Sequence, residues 1–142
     1  YNISSQILVK LSTMSISPDT LILMFQKEFA QRLLDEKLNS INSLVKCFYS
    51  IKLNFNVSKS CYRPIPKADS TVLTFKKLKK KLLKIEEINK FIIFKRNLFS
   101  HKRKSLKNLL KKYELKSNIN LNLRVEDLKL DELVKIFRAA SS

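Results

Sequence analysis

Ile51-Lys52-Leu53-Asn54-Phe55-Asn56-Val57, then Ser60-Cys61-Tyr62-Arg63-Pro64-Ile65-Pro66-Lys67-Ala68-Asp69-Ser70, then Thr71-Val72-Leu73-Thr74-Phe75 form the stretch that decides the fold. The first run alternates apolar and polar residues strictly, as a strand with one wet face does. The last run reads as a second strand. The two are expected to pair antiparallel at the edge of a sheet. Between them, two spaced prolines fix φ and restrict the residues before them, so the loop is stiff. A stiff loop can hold Tyr62 with one ring face free, as a stacking platform for a flat ligand such as a nucleobase. The same pattern also suits a plain structural turn with a half-buried tyrosine.

Toward the N-terminus, apolar residues at 3, 7, 8 and 11 have helical spacing, with Ser4 or Asn2 as the cap. A turn around Pro18 follows. Residues 20–25 are almost wholly apolar and read as a strand buried on both faces, as in a parallel sheet. Residues 27–34 return to helical spacing, with Phe29, Leu33 and Leu34 on one face. Residues 35–42 read as a polar loop and 43–50 as another helix. Helices and strands thus alternate, which is an α/β pattern. Gln26 and Glu28 follow the buried strand, at the edge where α/β proteins bind ligands; as capping residues they are equally well explained.

After Lys76-Lys77-Leu78-Lys79-Lys80-Lys81 no strand pattern appears. Residues 85–99, 105–113 and 126–139 read as helices, with a loop at Asn118-Ile119-Asn120. A boundary near residue 78 is expected. Residues 1–77 would be half of an α/β domain and 78–142 a small all-helical domain.

The 142 residues hold 29 basic and 12 acidic side chains, a net charge of +17. Residues 1–76 contribute +5 and residues 77–142 contribute +12. Such a field attracts polyanions, chiefly nucleic acid or an anionic membrane surface. Lysine dominates and Asn and Ile are abundant, as an AT-rich coding sequence gives, so part of the excess is compositional. The strongest run is Lys95-Arg96, His101-Lys102-Arg103-Lys104, Lys107 and Lys111-Lys112. Leu98, Phe99, Leu106, Leu109 and Leu110 interleave with it. A helix pair that packs on one side and presents Arg96, Arg103 and Lys107 as a basic stripe on the other is expected. That arrangement suits backbone contacts to an RNA hairpin. A merely solvated charged face is the bland alternative.

The chain has no glycine. Nucleotide-binding loops need glycine where backbone approaches phosphate or ribose closely. Either no nucleotide cofactor binds, or the cofactor half lies elsewhere; the start at Tyr1, without Met, favours a fragment. Cys47 and Cys61 are too few for a zinc motif and read as reduced thiols, so no metal is expected. No signal peptide and no run of eighteen apolar residues is present, so a soluble, cytoplasmic protein without a membrane partner is expected.

Five segments in order carry a resemblance: Tyr1-Asn2-Ile3-Ser4-Ser5, Leu23 through Leu33, the proline loop, Asn97 through Leu106, and Leu123-Arg124-Val125-Glu126-Asp127-Leu128. In this order and at these distances the chain resembles the rRNA adenine dimethyltransferase family (KsgA type), from Tyr1 to about Ala140. The resemblance implies the C-terminal part of a Rossmann-like S-adenosylmethionine-dependent methyltransferase domain, followed by a helical RNA-binding domain. It implies N6,N6-dimethylation of two adjacent adenosines in small-subunit rRNA, with the rRNA or the immature small ribosomal subunit as partner and the enzyme a monomer. The cofactor's glycine-rich loop and acidic residue would lie upstream of Tyr1, leaving this fragment inactive alone. Tyr1 would stack on the target adenine and Tyr62 would cover it from the other side. Lys67, Lys95, Arg96, His101, Lys102, Arg103, Lys104 and Lys107 would hold RNA. Departures from the family pattern are Ala68 for valine, Gln6 for proline, and Ser40-Ile41-Asn42 where Gly-Arg-Leu is common, which puts one arginine contact in doubt. The rival reading is a non-catalytic RNA- or DNA-binding module that kept the scaffold; the sequence upstream of Tyr1 discriminates.

Overall fold

In the computed structural model, which describes residues 4–111, 113 and 120–141, the sheet consists of Thr20–Gln26 (β1), Tyr49–Val57 (β2) and Ser70–Lys77 (β3). Strand order is β1-β3-β2, with β3 antiparallel to both neighbours. The expected antiparallel pairing of the two quoted strands is present, but β3 is the central strand. Helices are Ser4–Thr13 (α1), Lys27–Leu34 (α2), Ser40–Val45 (α3), Ile88–Phe99 (α4), Leu106–Leu109 (α5) and Leu130–Ser141 (α6).

The two faces of the sheet differ. Directly opposed residues share a face. Leu21 and Phe25 of β1, Leu73 and Phe75 of β3, and Tyr49 of β2 are buried on the helix-covered side. Ile22 (63% exposed) and Met24 (42% exposed) lie on the other. β1 is therefore buried on one face only, not on both as its apolar composition suggested. Composition cannot tell a doubly buried strand from one whose second apolar face is left open. A register shift between Leu53 and Phe55 turns Phe55 to the open side, opposite Val72. The strict alternation of 51–57 put Leu53 and Phe55 on one face; the bulge separates them.

The α2–α3 connection is shorter than expected. Asn39 is the N-cap of α3, and Asn42 and Asn39 form a reciprocal capping box. The Asn42 amide is buried; its Nδ2 reaches the carbonyls of Arg32, Asp35 and Lys37 at 3.0–3.3 Å and its Oδ1 accepts the Asn39 N–H at 2.7 Å. This network starts the helix three residues before the periodicity did, because a cap is a side-chain property that hydrophobic spacing ignores.

Beyond residue 78, α4 and α6 match the expected helices, shifted at their starts by short 3₁₀ turns at Ile85–Glu87 and Val125–Asp127. The expected 105–113 helix is only Leu106–Leu109. Ser105 instead bridges to Arg124, and the Leu106 and Lys107 N–H groups donate to the carbonyls of Leu123 and Leu121. Phe91, Phe94 and Phe137 meet at ring separations of 5.2 and 5.5 Å and lie in one buried cluster with Phe75, Leu44 and Leu8. The core is thus continuous across residue 78. Tyr1 and the 118–119 part of the expected loop lie outside the described residues.

Candidate nucleic-acid interface

The proline loop begins with a 3₁₀ turn, Lys59–Cys61, capped by Ser58. Asp69 fixes its two ends: the Lys59 N–H donates to Asp69 Oδ1 at 2.8 Å, and the Lys27 N–H at the start of α2 donates to the Asp69 carbonyl at 2.9 Å. Asp69 therefore has a structural turn role. The Arg63–Pro64 bond is cis. Arg63 folds back, with Nη1 donating to the Ser60 and Tyr62 carbonyls at 3.1 and 3.0 Å. Tyr62 is half-buried, and its hydroxyl donates to Met24 Sδ at 2.9 Å. The ring is thus anchored by its tip to the open side of the sheet, near the carboxyl end of β1. Lys67 is exposed on the same loop.

Around the same end of β1, Gln26, Glu28, Phe29 and Arg32 line a cavity of about 390 Å³ together with Ser4 and Ser5 at the start of α1. An adjoining cavity of about 450 Å³ is lined by Lys10, Arg32, Ser40, Lys95 and Arg96, among others.

The basic run is not a single helical stripe. α4 ends at Phe99, His101 to Lys104 form a turn, and Lys107 sits on the short α5. Arg96, His101, Lys102, Arg103, Lys104 and Lys107 are all exposed. His101 and Lys104 border a cavity of about 590 Å³ with Asn97, Asn108 and Lys111. Lys95 differs: it is only 5% exposed, and its Nζ donates to Ser40 Oγ at 3.0 Å. Burial, with the charge of Arg96 in second place, pushes its pKa down to about 8. Lys95 does not belong to a solvent-facing stripe, because α4 turns that position toward α3. Lys10 and Arg32 were not singled out by sequence reasoning. They come from separate helices, and only the fold brings them beside Lys95 and Arg96.

The two thiols also separate. Cys61 is exposed. Cys47 is buried, with its Sγ 3.2 Å from the Ser43 carbonyl, and burial pushes its pKa up to about 12, so it is an inert core thiol.

A family model described as ribosomal RNA adenine dimethylase matches residues 1–141. The chain belongs to this family. Ribosomal RNA small subunit methyltransferase A of Mycoplasma capricolum is 39% identical over 96% of this chain and 57% of its own length. The protein of the same name from Thermotoga maritima is 32% identical over 96% of this chain and 49% of its own length. The chain thus spans about half the length of these dimethylase-family relatives. In fold it is similar to a dimethyladenosine transferase from Plasmodium falciparum, with a TM-score of 0.82, 23% identity, and coverage of 99% of this chain and 65% of that one.

The family's methyl donor, S-adenosylmethionine, does not fit the residues present as a self-contained site. The chain has no glycine, and no described residue adopts positive φ, so the tight backbone turn that approaches a nucleoside is lacking among them. Among the described residues no group of three His, Cys, Asp or Glu side chains is placed to hold a metal, and no helix is long and apolar enough to cross a membrane.

Proposed function

We propose that this chain is the base-handling and RNA-gripping part of an rRNA adenine dimethyltransferase. The match of residues 1–141 to the family carries the proposal. The full-length protein would dimethylate N6 of two adjacent adenosines in small-subunit rRNA. It would act as a monomer in the cytoplasm, on rRNA or the immature subunit, with S-adenosylmethionine as the methyl source bound mainly outside this chain. Residues 1–77 would complete the methyltransferase domain and 78–142 would form the RNA-binding domain.

The chemistry assigns work to particular residues. The exocyclic amine of adenine is a poor nucleophile, because its lone pair is delocalised into the ring. The base must leave its stack, be clamped between flat or apolar surfaces, and be held with its nitrogen aimed at the methyl donor. Tyr62, tied to Met24 on a loop whose ends Asp69 fixes, would be one wall of that clamp, and Tyr1 the other. A base–aromatic stack is worth roughly 1–3 kcal/mol, so two would offset the few kcal/mol of unstacking. His101, Lys102, Arg103, Lys104 and Lys107, with Arg96 and Lys67, would bind phosphates without reading sequence. The open apolar face around Ile22, Met24 and Phe55 would be covered by the part that the longer relatives carry outside the matched stretch.

The test is methyl incorporation from labelled donor into small-subunit rRNA by the full-length protein, followed by nucleoside analysis. Dimethyladenosine at two neighbouring positions is expected. RNA binding without incorporation would instead support the non-catalytic binding module.

A further inference from the structure

The adjoining cavities at the start of α1 share Ser5, Arg32 and Ile41, so the space beside Gln26 and Glu28 opens toward α4. Four cations line the far part: Lys10 from α1, Arg32 from α2, and Lys95 and Arg96 from α4. Its described lining holds no carboxylate. Lys95 is 95% removed from solvent, and one of its three ammonium donors is taken by Ser40 Oγ at 3.0 Å. Buried charges in proteins are normally paired with an opposite charge. Here the adjacent charge in sequence and in the cavity is a second cation. The far part therefore has no counter-charge in its own lining, the carboxylate of Glu28 lining only the adjoining cavity, and it suits an anion.

We propose that the Lys10–Arg32–Lys95–Arg96 cavity seats a backbone phosphate of the bound RNA strand, next to the entrance of the base pocket. The inference rests on the reading of this protein as an rRNA-binding enzyme. It goes beyond that reading by assigning a discrete phosphate site at the junction of the α/β and helical segments. Arg32 supplies a guanidinium fork suited to phosphate oxygens, and Lys95 supplies a desolvated point charge. A phosphate there favours the ammonium form of Lys95, so binding takes up protons where the free amine is partly neutral. The charged groups that face Lys95 across the cavity are Lys10, Arg32 and Arg96, with Ser40 as the neutral neighbour.

The experiment measures binding of a synthetic small-subunit rRNA hairpin to the full-length protein and to its Lys95→Met and Arg32→Gln variants, across salt and from pH 7 to 9. Inorganic phosphate is titrated in a parallel arm. Arg32 is exposed and its structural role is through its carbonyl, so Arg32→Gln keeps the fold. Each variant is expected to bind the hairpin about 5- to 20-fold more weakly, with a salt slope lower by roughly one, as for one lost phosphate contact. The wild type should lose affinity as pH rises through 8, and Lys95→Met should not show that loss. Undiminished hairpin binding by both variants, with the wild type binding well, overturns the inference and leaves the functional reading intact. A defect confined to the inorganic phosphate arm also overturns it, by making this a small-anion site. Wild-type protein that does not bind the hairpin at all overturns the functional reading and the inference with it.

Discussion

Two groups of cations on this chain live under opposite conditions. His101 to Lys104 and Lys107 stand in solvent on a turn and a one-turn helix, where charge is well hydrated and screened by salt. Lys95 is enclosed between α3 and α4 beside Arg96, with a serine hydroxyl for company. Exposed cations are nearly interchangeable and their effects on polyanion binding add. An enclosed cation is fixed in position and destabilises the empty protein. The first group suits general grip, the second one specific phosphate. The contrast also separates both from Tyr62, whose place on a pinned loop suits chemistry rather than grip.

The largest effect should come from neutralising the exposed run. Lys102→Ala, Arg103→Ala and Lys104→Ala together should weaken RNA binding about 100-fold at moderate salt and lower the salt slope by roughly two to three. The thermal midpoint should barely move. An unchanged slope would break the assignment of grip to this turn.

Next comes Asn42→Ala. It removes the amide that holds the carboxyl end of α2 to α3, so the Lys37 carbonyl and the Asn39 N–H lose their Asn42 partner, while the Arg32 and Asp35 carbonyls keep Asn39 Nδ2 and Lys46 Nζ. A loss of about 2–3 kcal/mol in denaturant unfolding is expected. Because Arg32 lies in the last turn of that helix, the Lys95 site should suffer while the exposed run does not. Equal salt slopes in variant and wild type would argue against a role for Arg32.

Lys95→Met should stabilise the protein at neutral pH even as it weakens binding. The folded-state pKa of about 8 lies below the ordinary 10.5, so between those values the unfolded chain holds a proton the folded one has released. The wild type should therefore gain on the variant in stability as pH rises from 8 toward 10.5, where the difference closes. A variant less stable than wild type at pH 7 would make Lys95 a structural residue.

The smallest effect belongs to Glu87→Gln. Arg138 grips the Glu87 carboxylate through Nε and Nη2 at 3.2 and 3.3 Å and, with the Lys84 N–H, holds its pKa below 4.5. The pair is partly exposed, so a loss under about 1 kcal/mol is expected. In the wild type this contribution is complete above pH 4.5 and disappears as pH falls through the lowered pKa. Acid titration of unfolding for the two proteins checks it.

Much of this organisation was legible in the sequence, for identifiable reasons. β2 announces itself by alternation, β3 by its apolar run after the proline loop, and α2 by the spacing of Phe29, Leu33 and Leu34. The open second face of β1 was not legible, since Ile22 and Met24 look like core residues when read locally. Nor was the bulge that turns Phe55 over, because nothing between Leu53 and Phe55 breaks the pattern. The exposed basic turn was visible as a run of adjacent charges. The Lys95 site was half visible: Lys95 and Arg96 were noted, but Lys10 and Arg32 lie 85 and 63 positions before Lys95 in sequence and only helix packing brings them in.

The most direct test separates chemistry from grip in one assay of full-length protein on small-subunit rRNA. Tyr62→Ala should lower kcat about 10- to 100-fold, as loss of one stacking wall predicts, while KM moves little. The Lys102/Arg103/Lys104 variant should raise KM and leave kcat nearly unchanged. Tyr62→Ala turning over at the wild-type rate, or losing affinity and not kcat, would contradict the account.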